Sequence, residues 1–325
     1  MKWKIILGIL IGGLIVLTVS YFVEPPTKKI IFQEEITATS ESLPIQKQEF
    51  AEETSKPLKV TLSNNLLEQG ETLIITAENL KSNQIITGKF DDKIFDFFPV
   101  KDSKYIGVVG IDVKKKPGDY SLIVTISGEN PIKKTITVKK ADFNITELAL
   151  NQELKEKNYT PSNIVENIIT TDGVLIWEVL KKYTSKPYFN KPFVYPLDSV
   201  VNVGAFGNIR KSGDVSLQHL GVDLDALENT PIYAINDGIV RFVKPLTVYG
   251  NTVIIDHGLG IYSLYLHLNE FQVKEGDKVK RGQIIGLVGN TGYSLGPHLH
   301  LSIKVNEASI NPLKFIEIVN KNLES

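Results

Sequence analysis

The sequence of 325 residues predicts a mainly β protein that begins with a membrane anchor. Three observations predict it. An uncharged apolar run occupies residues 5–23. Short alternating runs of β-branched residues, divided by turn residues, fill residues 58–140 and recur in residues 193–318. A segment with helical spacing lies between these two regions. We therefore expect an anchor, a small β-sandwich, a helical connector and an antiparallel β domain, in that order.

Composition excludes several classes of protein. Lys and Arg (36) nearly balance Asp and Glu (37), so the chain lacks the broad positive field with which nucleic-acid-binding proteins neutralise phosphates. Because there is no cysteine, disulfide scaffolds and thiolate metal sites are excluded, and any transition metal must be held by histidine and carboxylate groups. We expect no nucleic acid among the partners.

The first 23 residues are interpreted as a membrane anchor. At 1.5 Å per residue, the run over residues 5–23 is long enough to cross a hydrocarbon core of roughly 30 Å, and longer than an ordinary signal-peptide core. Lys2 and Lys4 precede the run, which leaves the amino end in the cytoplasm and the remainder in the cell envelope, outside the membrane. Cleavage near Ser20 is the alternative, and it would produce a secreted protein.

Two regions follow the anchor. Residues 24–57 are rich in Glu, Thr, Ser and Pro, which predicts a flexible stalk. In residues 58–140, runs such as "ETLIITAE" and "YSLIVTIS" between turn clusters are typical of a small antiparallel sandwich. This stretch resembles a bacterial immunoglobulin-like (Ig-like) module. It carries no cluster of His, Asp and Glu, so we expect a spacer or docking module.

Residues 141–192 predict a helical connector. Thr160 and Pro161 suit the N-cap and the first turn of a helix, and Gly173 weakens or breaks the helical pattern that follows. Trp177 is expected to pack against the next domain.

The last region, residues 193–318, carries the candidate chemistry. Strand-like runs bounded by glycine predict a mostly antiparallel β-sheet unit with functional groups on strand ends and loops. All five histidines of the chain lie in this region: His219, His257, His267, His298 and His300.

The spacing of these histidines predicts a metal site. If the stretch after Pro297 is extended, His298 and His300 point to the same face, because side chains alternate along a strand. His219 and Asp223, four positions apart, supply two ligands, and His300 supplies a third from a distant strand. Catalytic zinc takes three protein ligands and keeps a fourth position for water. Because the sequence supplies one such set of three ligands, we expect one zinc ion per chain.

His298 and His267 are the candidates for catalysis beside that water. Zinc lowers the pKa of bound water to about 7. One imidazole would then take the proton and the other would stabilise the developing oxyanion, and the spacing leaves the two roles open. The predicted reaction class is amide hydrolysis.

Motifs in this region resemble those of the lysostaphin/LytM-type zinc endopeptidase family. The H-x-x-x-D motif of that family falls on His219 and Asp223, and its H-x-H motif falls on His298 and His300. The resemblance implies that His219, Asp223 and His300 bind zinc and that His298 and His267 are catalytic. It further implies cleavage of peptide bonds in the stem peptides or cross-bridges of peptidoglycan.

The segment before His219 departs from the secreted members of that family, which carry a tyrosine there. The residues around Arg210 look more like the envelope-anchored members, and Arg210 is expected to contact a substrate carboxylate. The loop over residues 208–218 is either a groove wall or a solvated loop. Tyr265, two positions before His267, is expected to share its strand face and to bind substrate in the groove, with core packing as the alternative.

Two other functions fit parts of the sequence. Degenerate LytM-type members that have lost metal ligands are catalytically silent binding modules that activate cell-wall amidases, but all the expected site residues are present here. The stretch "VKEGDKVKRGQIIGLVG" resembles the hairpin of biotinyl or lipoyl carriers, whose modified lysine commonly lies between methionines, and Met1 is the only methionine.

His257 is expected to be a structural, hydrogen-bonding residue. Peptidoglycan, the membrane and a regulatory protein are the expected partners.

Overall fold

The computed structural model describes residues 56–101 and 103–324. The predicted anchor (residues 1–23) and nearly all of the predicted stalk (residues 24–57) lie outside the described residues. Within the described residues, no helix has the length and apolar character that a membrane span requires. The described chain is mainly β with few helices, as the sequence predicts.

Eight strands form the amino-terminal part. They are β1 (Lys59–Leu62), β2 (Leu66–Glu68), β3 (Thr72–Glu78), β4 (Ile86–Phe90), β5 (Lys93–Pro99), β6 (Tyr105–Gly110), β7 (Gly118–Ile126) and β8 (Ile132–Lys139). The hydrogen-bonded order is β1-β3-β6-β5-β4-β7-β8-β2, antiparallel except for the parallel pair β2–β8. Leu73 and Ile75 of β3 belong to the same buried cluster as Leu122 and Val124 of β7, so one core lies between these strands. The Ig-like assignment of this part stays a prediction.

The connector contains short helices. Its elements are β9 (Ile145–Glu147), α1 (Gln152–Glu156), α2 (Pro161–Asn167), a π-helical turn (Ile168–Asp172) and α3 (Gly173–Leu180). Thr160 caps α2 as predicted, because its side chain accepts a hydrogen bond from the Asn163 amide and Asn163 reciprocates. Gly173 does not break the helical path, which continues through the π-helical turn. A Cβ at this position would lie 2.1 Å from the Ile168 carbonyl oxygen.

The carboxy-terminal part contains most of the strands. They are β10 (Asn202–Gly204), β11 (Ile209–Ser212), β12 (Val215–Gln218), β13 (Val222–Asp225), β14 (Pro231–Tyr233), β15 (Gly238–Leu246), β16 (Gly250–Gly258), β17 (Ile261–Leu268), β18 (Glu270–Phe271), β19 (Lys278–Val279), β20 (Ile284–Leu287), β21 (His298–Val305) and β22 (Ala308–Ile310), followed by helix α4 (Pro312–Glu324). The central sheet has the order β10-β13-β21-β17-β16-β15-β19, and β22 pairs with β21. Two three-stranded sheets, β12-β11-β9 and β14-β20-β18, flank it.

The two faces of the central sheet have different coverings. On one face, Tyr265 and Leu301 belong to a large core that also includes Ile74 and Val108 of the amino-terminal sheet, so that sheet packs directly on the carboxy-terminal part. On the other face, Leu264 and Leu266 pack against α3. The connector therefore covers one face of the central sheet.

Trp177 does not have the expected packing role. Its side chain is 48% exposed, whereas Ile176, Val179 and Leu180 of the same helix are buried against the sheet. The prediction that Trp177 anchors the connector is wrong, because the helical period directs its three neighbours toward the sheet instead.

Candidate metal centre

Three side chains meet between β13 and β21. Asp223 lies opposite His300 in the antiparallel register, and His219 comes from the segment just before β13. Asp223 Oδ1 lies 2.9 Å from His219 Nε2 and 2.8 Å from His300 Nδ1. The two ring nitrogens are 3.0 Å apart. All three residues are buried, and the structure brings together the three residues that the sequence predicts as metal ligands.

Glycines allow this close approach. A Cβ at position 204 would lie 2.2 Å from Asp223 Oδ2, and a Cβ at position 221 would lie 2.4 Å from His300 Nε2. Any larger residue at Gly204 or Gly221 would displace a ligand side chain. Sequence reasoning did not single out these two glycines.

Hydrogen bonds on the side of each ring away from Asp223 define the tautomers of the His219 and His300 imidazoles. His219 Nδ1 donates to the Ala205 carbonyl at 2.9 Å. Ser302 Oγ donates to the Leu220 carbonyl, so it accepts a hydrogen bond from His300 Nε2 at 2.9 Å. His219 Nε2 and His300 Nδ1 are therefore lone-pair acceptors that face Asp223 Oδ1. Burial also lowers the pKa of His300 to about 4, against the opposing effect of Asp223, so the ring is neutral at pH 7.

Three acceptors that converge in this way fit a cation. Two imidazole nitrogens and a carboxylate oxygen form a donor set that zinc favours in proteins, and their lone pairs repel one another unless a positive charge lies between them. The chemistry of the donor set therefore fits the predicted zinc ion.

His267 and His298 lie beside this cluster. Their ring centroids are 5.0 Å apart, and the His267 ring is 6.1 Å from that of His300. His298 Nδ1 donates to the Gly296 carbonyl and His267 Nδ1 to the Thr291 carbonyl, each at 2.8 Å. In a neutral ring the Nε2 atom is then the lone-pair nitrogen. His298 Nε2 is 3.6 Å from Asp223 Oδ1, and, against the opposing effect of burial, this carboxylate raises the pKa of His298.

A β-bulge turns His267 toward the other histidines. Asn251 pairs with Leu268 and Val253 pairs with Tyr265, so β17 has one extra residue at this point. His267 adopts a left-handed backbone with φ of 65°, which interrupts the alternation of side chains along the strand.

This bulge corrects the prediction for Tyr265. The side chain of Tyr265 is fully buried on the opposite face of the sheet, and its hydroxyl accepts a hydrogen bond from the Ile235 amide and lies 3.0 Å from Ser263 Oγ. Tyr265 therefore does not line the groove. The prediction assumed an uninterrupted strand between Tyr265 and His267, and the extra residue breaks that alternation.

Arg210 lies at the site but contacts a protein carboxylate. Its Nη2 is 2.7 Å from Asp223 Oδ2, on the side of the carboxylate away from the two histidines. Asp223 thus presents a single oxygen, Oδ1, to His219 and His300. The predicted contact of Arg210 with a substrate carboxylate stays a prediction.

His257 has the structural environment that the sequence predicted. It is completely buried, and its Nδ1 and Nε2 are each 2.8 Å from a hydrogen-bond partner, the Asp237 carbonyl and Ser263 Oγ.

Two cavities flank the metal centre. The first, which we call the basic cavity, has a volume of about 230 Å³ and reaches from His219, His267 and His300 to Lys304. The second, the acidic cavity, is lined by Glu147, Asp223, Asp225 and His298 among others. Arg210, His267 and Tyr293 line both cavities, so the two meet at the metal centre. Residues 208–218 form the β11–β12 hairpin and not a loop, and they are part of the wall, which agrees with the groove-wall interpretation of the sequence.

Comparison with known proteins assigns the carboxy-terminal part to a family. Residues 217–312 match the model of Peptidase family M23, so the carboxy-terminal part of the chain contains a domain of this family. A solved structure of a Pseudomonas aeruginosa protein assigned to peptidase M23 has the same fold, with a TM-score of 0.54 and 24% identity, over 78% of this chain and 96% of that chain.

Curated relatives are similar to a part of the chain. An uncharacterized metalloprotease of Buchnera aphidicola is 40% identical over 147 residues, which are 43% of this chain and 38% of that protein. The DD-carboxypeptidase/endopeptidase Mpg of Neisseria meningitidis is 43% identical over 29% of this chain and 22% of that protein. The peptidoglycan DD-endopeptidase ShyA of Vibrio cholerae is 39% identical over 37% of this chain and 29% of that protein. The chain therefore spans less than two fifths of each of these relatives.

Proposed function

We propose that the protein is a zinc-dependent metalloendopeptidase that hydrolyses peptide bonds in the stem peptides or cross-bridges of peptidoglycan. The observation that carries the proposal is the convergence of three buried acceptor atoms, from His219, Asp223 and His300, with two further imidazoles beside them. The M23 match and the peptidoglycan endopeptidase among the relatives support the substrate class.

Each side chain has a role that follows from its hydrogen bonds. His219 Nε2, Asp223 Oδ1 and His300 Nδ1 would hold the zinc, which supplies a Lewis acid and lowers the pKa of water. His267 and His298 are held by carbonyls at Nδ1, so their Nε2 atoms are free to accept or donate a proton. One of these two imidazoles takes the proton from water and the other stabilises negative charge on the carbonyl oxygen. Arg210 keeps Asp223 Oδ2 away from the metal position.

The proposal includes a place in the cell. The uncharged run over residues 5–23 would anchor the protein in a membrane, with the peptidase domain in the extracytoplasmic envelope, or would release it as a secreted protein if cleaved. Residues 58–140 would serve as an Ig-like docking module, and a regulatory protein would be a further partner.

Digestion of defined cross-linked muropeptides tests the proposal. We expect the full chain, in detergent and loaded with one equivalent of zinc, to cut a peptide bond that the product masses identify. His298→Ala should keep the zinc and lose cleavage, whereas His300→Ala should lose both. A zinc-loaded chain that is inert on every cross-linked muropeptide contradicts the proposal and supports the alternative of a silent LytM-type module that activates amidases.

A further inference from the structure

We infer that the basic cavity seats a carboxylate of the substrate, with Lys304 as its anchor. This inference rests on the proposed function, because it concerns the substrate of the same site. It assigns a binding role to a residue that neither the metal centre nor the catalytic pair uses.

The position of Lys304 on β21 connects it with the metal centre. Side chains alternate along a strand, so His298, His300, Ser302 and Lys304 form one row on the same face. At about 3.3 Å per residue, the Cα atoms of His300 and Lys304 are about 13 Å apart. His300, Ser302 and Lys304 all line the basic cavity, which makes one continuous space from His300 to Lys304.

The charge of the basic cavity favours an anion. Lys114, Arg210 and Lys304 line it, and among the described residues no Asp or Glu side chain does. The acidic cavity on the other side of the metal centre is lined by Glu147, Asp223 and Asp225. Arg210 lines both cavities and is paired with Asp223, so the two lysines distinguish the basic cavity. A substrate that spans the metal centre therefore meets Lys114 and Lys304 on one side and Glu147 and Asp225 on the other, which is a means of orienting it.

Lys304 itself has unused capacity to donate hydrogen bonds. It is buried, with only 8% of the residue exposed, and its Nζ donates to Ser309 Oγ. Burial lowers the pKa of Lys304 to about 8, with Asp112 opposing this effect and Lys114 adding to it. An ammonium group has three donors. Ser309 Oγ accepts one of these donors, and a bound carboxylate would supply acceptors for the others.

The walls define the rest of the ligand. Val165, Ile168 and Ile176 of the connector lie on one side of the basic cavity, and Leu264 and Leu266 of β17 lie on the other. Apolar walls with a cation at the far end suit an aliphatic chain that ends in a carboxylate. In a peptide substrate, that chemistry belongs to a carboxyl-bearing side chain or a peptide carboxy terminus.

Binding of two matched probes tests the inference independently of cleavage. The first probe is a synthetic cross-linked dimer of the stem peptide with free carboxylates, and the second is the same dimer with every carboxylate converted to a carboxamide. Calorimetric titrations use the full, zinc-loaded chain with His298→Ala, which keeps the three metal ligands and leaves the probe intact. We expect the free carboxylates to bind at least about tenfold more tightly, the value of one charge-assisted hydrogen bond.

Matched lysine variants identify the anchor. Lys304→Met should reduce the preference for the carboxylate probe over the carboxamide probe to less than about threefold. The control variant Lys244→Met removes an exposed lysine of β15 and should leave this preference unchanged. Lys114 is exposed, so Lys114→Met provides a variant with an undisturbed core and should reduce the preference by an intermediate factor.

An unchanged preference in both Lys304→Met and Lys114→Met, or equal binding of the two probes by the parent chain, overturns the inference. The outcomes are separable from the proposed function. A chain that cleaves muropeptides without preferring carboxylates retains the function and loses this binding site. A chain that prefers carboxylates through Lys304 and cleaves nothing retains the binding site and loses the function.

Discussion

Two buried histidine clusters on the same central sheet have opposite hydrogen-bond patterns. His257 has a carbonyl at Nδ1 and a serine hydroxyl at Nε2, so each ring nitrogen meets a group that can complement it. In the metal centre, His219 Nε2, His300 Nδ1 and Asp223 Oδ1 are acceptors that face one another within 3.0 Å. Burial alone therefore does not distinguish a functional histidine from a structural one, whereas the partner of the second nitrogen does.

The largest expected difference between the two clusters is in catalysis. His300→Ala should reduce the hydrolysis of muropeptides by about 1,000-fold or more, because a ligand is lost and the Lewis acid with it. His257→Gln alters a cluster that includes none of the three proposed metal ligands and neither imidazole of the catalytic pair, so it should retain activity within about threefold once folded. Rates at saturating substrate for the two purified variants are the measurement. Comparable losses of hydrolysis rate in the two variants would contradict the assignment of different roles to the two clusters.

Removal of metal should affect stability through the metal centre alone. A ligand at 1,000 times its dissociation constant stabilises the folded state by about 4 kcal/mol. Chelation should therefore lower the melting temperature of the wild type and of His257→Gln by similar amounts, and leave that of His300→Ala nearly unchanged. Thermal unfolding with and without chelator measures this. An equal chelator effect in His300→Ala would mean that the metal binds elsewhere.

Acid should destabilise the His257 cluster in a defined range. Burial lowers the pKa of His257 from 6.5 to about 4, so below pH 6.5 the unfolded chain binds a proton that the folded chain excludes. The free energy of unfolding should fall by about 3 kcal/mol from this residue as the pH decreases from 6.5 to 4. Denaturant unfolding of wild type and His257→Gln at several pH values gives the difference. Parallel pH profiles for the two proteins would contradict the assigned pKa.

Arg210 should have a smaller effect on the metal centre. Arg210→Gln removes the ion pair with Asp223 Oδ2, and loss of a hydrogen bond to a metal ligand costs about 10- to 100-fold in metal affinity. Competition with a fluorescent chelator measures this affinity. Arg241→Gln is the matched control, because Arg241 pairs with the buried Asp256, close to His257, at 3.0 Å. Weakening by Arg241→Gln, or none by Arg210→Gln, would contradict this role.

The sequence predicts the parts of the molecule that depend on local repetition. Alternation along an extended segment placed His298 and His300 on one face, and the short spacing of His219 and Asp223 placed two ligands together, as the structure has them. The mainly β character followed from the alternating runs, since side chains in strands have a period of two.

The remaining features depend on contacts between distant segments. The bulge at His267 arises from pairing with β16, so the reversal that buries Tyr265 has no signal in the spacing of the two residues. The ion pair of Arg210 with Asp223 and the covering of one sheet face by the connector also arise from tertiary packing. The exposure of Trp177 follows from which side of α3 meets the sheet.

The most direct test is an anomalous difference map at the zinc edge, from crystals of the zinc-loaded chain. The account predicts one peak between His219 Nε2, Asp223 Oδ1 and His300 Nδ1, at about 2.0–2.2 Å from each, with no fourth protein ligand. A peak that His298 Nε2 also ligates, or no peak among these three atoms, would contradict it.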